Sequence, residues 1–458
     1  MIGFDLFLKN IRLPVSIALF GCLLAAVVSS PRYAEARELS FIRDAEIENT
    51  IRTYAMPVFL AAGLEPTAIN IYLVNDNSLN AFVAGGQKLF LNTGLLARST
   101  NASQVIGVIA HETGHIAAGD LSRIRDAMQA SSAQAILAYI LGGAAIIGGR
   151  GDVGGAIILG GQAVGTRNFL HYSRTQEGAA DVAAMKFLEA TKQSSKGLRE
   201  FFEILGDQEF KSAARQDPYY QSHPLTRERI LAVEEFISKS AYSNVPESAD
   251  FVSRHSRMKA KLRAFLDSPT YTFRRYGKAD TSVESRYARA IAYYRQADID
   301  NALPLIDGLI AEQPDDPYFH ELKGQILFEN GHNVEAIPEY RKASALDADS
   351  ALLHAELARV LIEANDPALL GEAIENLITA LSQDRTDGSS WRQLAIAYGR
   401  QDKTAESSLA LGEEALLQGN AQNALYHGGR AEKLLPEGSR GWLHAQDILV
   451  AARNLKGK

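Results

Sequence analysis

Apolar residues along this chain fall into several distinct rhythms, and each predicts a different element. Leu13 to Val28 is an unbroken apolar run. Ile69 to Val74 (INIYLV) is short and β-rich, which predicts a strand. Asn80 to Ala84 (NAFVA) and Gln87 to Leu91 (QKLFL) flank Gly85-Gly86, the pattern of a hairpin with a tight turn. From Val105 the rhythm changes: Val105, Ile106, Val108, Ile109 and Ile116 recur at helical intervals, with Asn101 or Ser103 available as the cap. Ser173 to Ala190 is again helical in composition. Between those two helices, Ala133 to Val164 carries only Arg150 and Asp152 as charges and is dense in glycine, alanine and isoleucine.

The C-terminal half repeats. Ala290, Ala302, Ile306 and Pro314 return 34 residues later as Gly324, Ala336, Tyr340 and Ala348. Small residues at the helix-packing position come back at Ala373, after an insertion around Pro367, and at Ala424. Trp391, Leu394, Ala395 and Tyr398 suit the first helix of such a unit, and Gly412 to Pro436 suits another, so the phase slips near Thr404. A 34-residue period of this kind predicts tetratricopeptide (TPR) repeats, about four units closed by a capping helix over Trp442 to Arg453. Stacked helix pairs form a concave superhelix that binds protein segments.

The predicted fold class is mostly α: an α+β N-terminal domain with a short β-hairpin or sheet, followed by an α-solenoid. The expected divisions are 1–36, 37–245, a charged helical linker over 246–283, and the repeats over 284–458. Composition narrows the function. A net charge of −7 offers no basic surface for nucleic acid. The single cysteine, Cys22, lies within the first apolar run, so the rest of the chain can form no internal disulfide and offers no thiolate to a metal. Lys9 and Arg12 precede that run and Ala34-Glu35-Ala36 follows it, which predicts an export signal cleaved after Ala36. The alternative is an uncleaved membrane anchor over residues 13–28.

The chemistry is concentrated on the helix from Val105. His111 and His115 are four apart and share one helical face, while Glu112 is rotated about 100° from His111. Two nitrogen ligands and an adjacent carboxylate are what a zinc peptidase needs, with one Zn2+ per chain. A metzincin would place glycine and a third histidine where Ala118 and Leu121 stand, so that class is excluded. The remaining solution is a glutamate on a second helix. Glu177 is assigned as third ligand, and Asp181, four residues on, as the acceptor that fixes a histidine tautomer. The hairpin strand Gln87, Lys88, Leu89, Phe90 and Leu91 is expected to hold substrate in an extended form.

Five motifs stand in order: Asn80 to Gly86; Asn92-Thr93-Gly94-Leu95-Leu96; His111 to Asp120; Ser173 to Asp181; and Ser222-His223-Pro224 with Arg229-Ile230. In this the chain resembles peptidase family M48, in particular its soluble, secreted BepA-type branch. The resemblance covers about half the chain. It implies a zinc endopeptidase with ligands His111, His115 and Glu177 and with Glu112 as the catalytic carboxylate. Two roles are open to His223 in its loop, stabilising an oxyanion or occupying the fourth zinc position. Arg229 either orients His223 or meets substrate carbonyls. Joined to the export signal and the repeats, the resemblance implies a periplasmic location and quality control of envelope proteins. The partners would be outer-membrane proteins and their assembly machinery, docked through the repeats. Residues 133–164 are read as a lid over the cleft, with peripheral membrane contact as a possible addition. The alternative function is a chaperone or adaptor acting mainly through the TPR groove.

Overall fold

The computed structural model describes residues 40–84, 87–119, 174–206, 219, 223 and 225–457. The expected signal segment and the stretch 133–164 lie outside them. Among the described residues no helix is long and apolar enough to cross a membrane.

A four-stranded sheet forms one wall of the N-terminal domain. Its strands are β1 (Phe41–Ile42), β2 (Asn70–Val74), β3 (Ala81–Ala84) and β4 (Lys88–Asn92), in the order β1-β2-β4-β3. The hairpin pairs antiparallel with Phe82 opposite Phe90, and β4 also pairs in parallel with β2, placing Tyr72 opposite Phe90. Because side chains alternate along a strand, one face carries Leu73, Ala81, Leu89 and Leu91 into the core. That core is completed by helices α1 (Ala45–Ala61), α2 (Thr93–Arg98), α3 (Ala102–Ala118), α4 (174–190), α5 (Lys196–Gly206) and α6 (Arg227–Lys239).

Helix α3 lies deep in the domain, with Ala102 to His115 buried apart from Ser103. Its first turn is capped by Asn101, whose side chain accepts the Gln104 N–H, and it ends at Gly119 with φ 67°, the left-handed conformation that glycine adopts without strain. Its neighbours come close because of glycine. A Cβ at Gly107 would lie 2.8 Å from the Leu198 nitrogen of α5, and one at Gly114 would lie 3.0 Å from the Cα of Ala180 on α4. Close approach of the two site helices therefore depends on Gly114 against Ala180. A Cβ at Gly178 would meet nothing within 4 Å.

The charged stretch after residue 246 forms α7 (Ala249–Leu266) and α8 (Pro269–Arg275), and α7 is buried on two sides. Met258 and Leu262 join the N-terminal core, whereas Ala260 and Ala264 join the core of the repeats. The repeats follow as helix pairs: α9 (Val283–Tyr294) with α10 (Ile299–Glu312), α11 (Pro317–Glu329) with α12 (Asn333–Leu346), α13 (Ala351–Glu363) with α14 (Leu370–Gln383), and α15 (Gly388–Arg400) with α16 (Thr404–Leu417). Helices α17 (Ala421–Leu434) and α18 (Arg440–Lys456) close the array. A 3-10 turn at Pro367–Leu369 accounts for the insertion. The phase slip has a simple cause: α16 packs as tightly on α17 as on α15, so one helix serves two successive hairpins. A recurring bond ties each pair to the one before it. His320 Nε2 lies 3.0 Å from the Pro314 carbonyl, His354 Nε2 lies 3.0 Å from the Ala348 carbonyl, and Trp391 Nε1 donates to the Arg385 carbonyl at 3.0 Å.

Where the two halves meet, a network of buried charges lies beside an apolar cluster of Ala45 with Tyr318, Ala343 and Leu353. Lys261 on α7 lies 2.9 Å from Asp44, 3.4 Å from Glu46 and 3.3 Å from Glu321 on α11. Arg257 takes Glu46 at 2.8 Å and also pairs with Asp316, and Tyr287 donates its hydroxyl to Glu46 at 2.9 Å.

Candidate metal centre

His111 and His115 project from the same face of α3, as helical spacing requires, and their Nε2 atoms are 3.2 Å apart. Helix α4 brings Glu177 to them: its Oε2 is 3.4 Å from His111 Nε2 and its Oε1 is 3.4 Å from His115 Nε2. His223 closes the group, with Nδ1 2.9 Å from Glu177 Oε1 and 3.4 Å from His111 Nε2. All four residues are buried, and their ligating atoms lie within 4.8 Å of one another. Four ligands held about 2.1 Å from a tetrahedral ion stand about 3.4 Å apart. Five of the six separations, from 2.9 to 3.4 Å, come near that value, the sixth lies within 4.8 Å, and the donor set of nitrogen and carboxylate oxygen suits the ion chemically.

Around the four donors sits a supporting layer. Asp181, one turn beyond Glu177 on α4, accepts from His111 Nδ1 at 2.9 Å, which leaves the Nε2 lone pair aimed at the cluster. Arg229, near the start of α6, holds Asp181 through Nε at 2.6 Å and Nη2 at 2.9 Å, and reaches Glu177 Oε2 at 3.0 Å through Nη1. The same Nη1 donates to the His223 carbonyl at 3.4 Å, and the guanidinium lies over the Phe202 ring. Burial disfavours a charge on Asp181, yet the bonds from Arg229 and His111 outweigh it and hold the carboxyl below its usual range. Glu177 follows the same balance: burial opposes its charge, but His111, His115 and His223 hold it well below the ordinary value.

Glu112 differs from every other member. It is 0% exposed, and neither carboxylate oxygen has a hydrogen-bond partner among the described residues. The His223 ring lies beside it, with Nε2 3.6 Å from Oε1. A buried carboxylate without donors is costly, and such groups call for an explanation.

The residues singled out in the sequence are thus brought together, with two adjustments. Arg229 is buried and committed to Asp181, Glu177 and the His223 carbonyl, which leaves it a positioning residue and no contact for substrate carbonyls. The strand Gln87 to Leu91 cannot hold substrate through its backbone. It lies mostly in β4, which is paired on both sides, and the hairpin strand at the sheet edge among the described residues is β3. Sequence reasoning also passes over Tyr219. Its ring stacks on His223 at 4.5 Å, and its carbonyl accepts the His223 N–H at 2.8 Å. The signal was available in the four-residue spacing of Tyr219 and His223, the interval of a single helical turn.

Comparison with known proteins agrees with this geometry. A profile for Peptidase family M48 matches residues 42–237, and one for the tetratricopeptide repeat matches residues 287–351. The chain is 24% identical over 378 residues to a putative beta-barrel assembly-enhancing protease of Vibrio cholerae, covering 81% of this chain and 77% of that one. It is 23% identical over 389 residues to the beta-barrel assembly-enhancing protease of Escherichia coli K12, covering 84% and 78% respectively. It is 27% identical over 176 residues to the metalloprotease LoiP of the same organism, covering 38% and 64%. The chain therefore carries a peptidase family M48 domain followed by tetratricopeptide repeats, and is a metalloendopeptidase with a C-terminal repeat arm.

Proposed function

We propose that this chain is a zinc endopeptidase of the cell envelope that removes misfolded or misassembled outer-membrane proteins, with the repeat arm docking its clients. The observation that carries the reading is the convergence of His111, His115, Glu177 and His223 beside a buried Glu112 with no hydrogen-bond partner. In this reading His111, His115 and Glu177 would hold the ion, which would supply Lewis acidity for polarising a carbonyl and for bringing the pKa of an attacking water toward about 7. Glu112 accepts the water proton and passes it to the departing amine, a task suited to a carboxylate with no competing donors. Asp181 and Arg229 hold His111 and Glu177 in place. Substrate pairs with the free edge of β3.

His223 has a second part in this scheme. With its Nδ1 near Glu177 and His111 it would fill the fourth position of a bound ion, a position that catalytic sites keep open. In this reading His223 would withdraw before a scissile carbonyl enters, and the imidazole would act as a restraint on the site. The envelope location rests on the apolar run Leu13 to Val28 followed by Ala34-Glu35-Ala36, and the client class on the names of the relatives.

Metal analysis of purified protein should return one zinc per chain. Unfolded β-barrel protein should be cleaved by the zinc form and not after chelation. A Glu112→Gln variant should retain zinc and co-purify with uncleaved clients. Cleavage undiminished in Glu112→Gln would sink the assignment. Full rescue of a deletion phenotype by that same variant would favour the chaperone reading.

A further inference from the structure

A row of aromatic rings crosses the sheet on the face turned away from the core. Phe41 of β1 lies 5.8 Å from Tyr72 of β2 between ring centroids. Tyr72 stacks on Phe90 of β4 at 5.0 Å, and Phe90 stacks on Phe82 of β3 at 4.7 Å with the planes only 7° apart. Strand register explains the line: Tyr72, Phe90 and Phe82 occupy directly opposed positions. Phe82 ends the row and is half-buried, with no further ring beyond it among the described residues.

The strand that carries Phe82 has a free edge beside the metal centre. Asn80 accepts the Asn92 N–H at 3.1 Å, so the backbones of Asn80, Phe82 and Ala84 face β4. By alternation, those of Ala81 and Val83 face outward, where β3 has no partner among the described residues. Just before the strand, the Leu79 carbonyl accepts the Tyr219 N–H at 3.3 Å, and Tyr219 stacks on His223.

We propose that Phe82 sets the sequence preference of the peptidase by selecting an aromatic or β-branched side chain at one position of a client segment paired with β3. The proposal rests on the reading of β3 as the substrate-binding edge. A strand bonded to Ala81 and Val83 presents every second side chain to the outer face, opposite Phe82, and an apolar ring or branched carbon there extends the stacked row. The intervening side chains point to the opposite face, the one turned toward α3. The preferred client is therefore an extended segment with apolar residues at alternate positions, and a charged residue opposite Phe82 leaves the ring uncovered and is disfavoured.

Two measurements on the zinc enzyme test this. In the first, peptides identical except for phenylalanine, valine, alanine or aspartate at one position are compared by kcat/KM. The wild type should favour phenylalanine over alanine about tenfold at the reading position, chiefly through KM. Phe82→Ala should bring that ratio to within about twofold, as should Phe82→Thr, which keeps a strand-forming residue in place, while Phe82→Tyr should preserve it. In the second, wild-type enzyme meets peptides N-methylated at single backbone positions. Pairing with β3 requires cleavage to fall at every second position. Absence of that alternation overturns the edge-strand reading and the proposal with it. Alternation together with an unchanged ratio in Phe82→Ala and Phe82→Thr overturns the proposal alone.

Discussion

The chain buries two clusters of charge, and they are built on opposite plans. At the junction of the domains, cations and anions alternate. Asp44, Glu46 and Glu321 each meet Lys261, Glu46 also meets Arg257 and Tyr287, and Asp316 meets Arg257. At the metal centre, three imidazoles and a carboxylate converge, and the carboxylate beside them, Glu112, has no hydrogen-bond partner among the described residues. The first plan gives each carboxylate a cationic partner, though three of them share Lys261, and it ties the two cores together. The second leaves lone pairs and a carboxylate unsatisfied by protein, which is tolerable only where something else binds there. Loss of a charge should therefore cost stability at the junction and activity at the centre.

The largest expected effect lies at the centre. Glu112→Gln should lower kcat for a cleaved peptide by about a thousandfold or more, in line with the loss of a general base. Its thermal midpoint should stay equal to or above that of the wild type, because a neutral amide replaces an unpaired buried carboxylate. A large fall in the midpoint would erase the contrast between the two clusters.

The contrast also marks what could be read from sequence. His111, Glu112, His115, Glu177 and Asp181 are legible because two helices with spacings of four carry them, and helical periodicity turns spacing into geometry. The 34-residue repeat is legible for the same reason, down to the slip at Thr404. Lys261, Arg257, Asp44, Glu46 and Glu321 escape notice because their meeting depends on α7 bringing residue 261 against residues 44 and 321, and no local period encodes that. The role given to Gln87–Leu91 failed on a related point. A hairpin can be recognised locally, but which of its strands lies at the sheet edge is decided by β2, more than ten residues upstream.

Next in size is the junction. Lys261→Met removes the cation common to Asp44, Glu46 and Glu321, and an uncompensated buried charge costs about 3–5 kcal/mol. Urea denaturation should show a loss in that range, with zinc content per folded chain unchanged.

Glu321 gives a smaller effect with a defined pH window. Burial raises its pKa against the pull of Lys261, and Asp44 and Glu46 add repulsion, so it is pushed up to about 8 from a model-compound value of 4.5. The folded chain thus binds a proton that the unfolded chain releases, and this contribution to stability is complete below about 4.5 and lost as pH rises through about 8. The slope across the window can reach about 1.4 kcal/mol per pH unit. Denaturation midpoints should fall between pH 5 and 8, and Glu321→Gln should flatten that fall; an unaltered slope in the variant would assign the proton elsewhere.

The smallest effect should come from the margin of the same junction. Arg43 pairs with Glu48 at 2.7 Å and reaches Asp384, in the turn between α14 and α15, at 3.3 Å. Its side chain is 42% exposed, so water and salt screen both pairs, and exposed pairs contribute at most about 1 kcal/mol. Arg43→Ala should change the free energy of unfolding by less than that, and the difference should shrink further in high salt. A salt-insensitive loss as large as that of Lys261→Met would mean that the alternating network reaches the third and fourth helix pairs, and that the solenoid is clamped to the peptidase along its length. A small, salt-sensitive loss would leave Lys261 as the point where the two halves are joined.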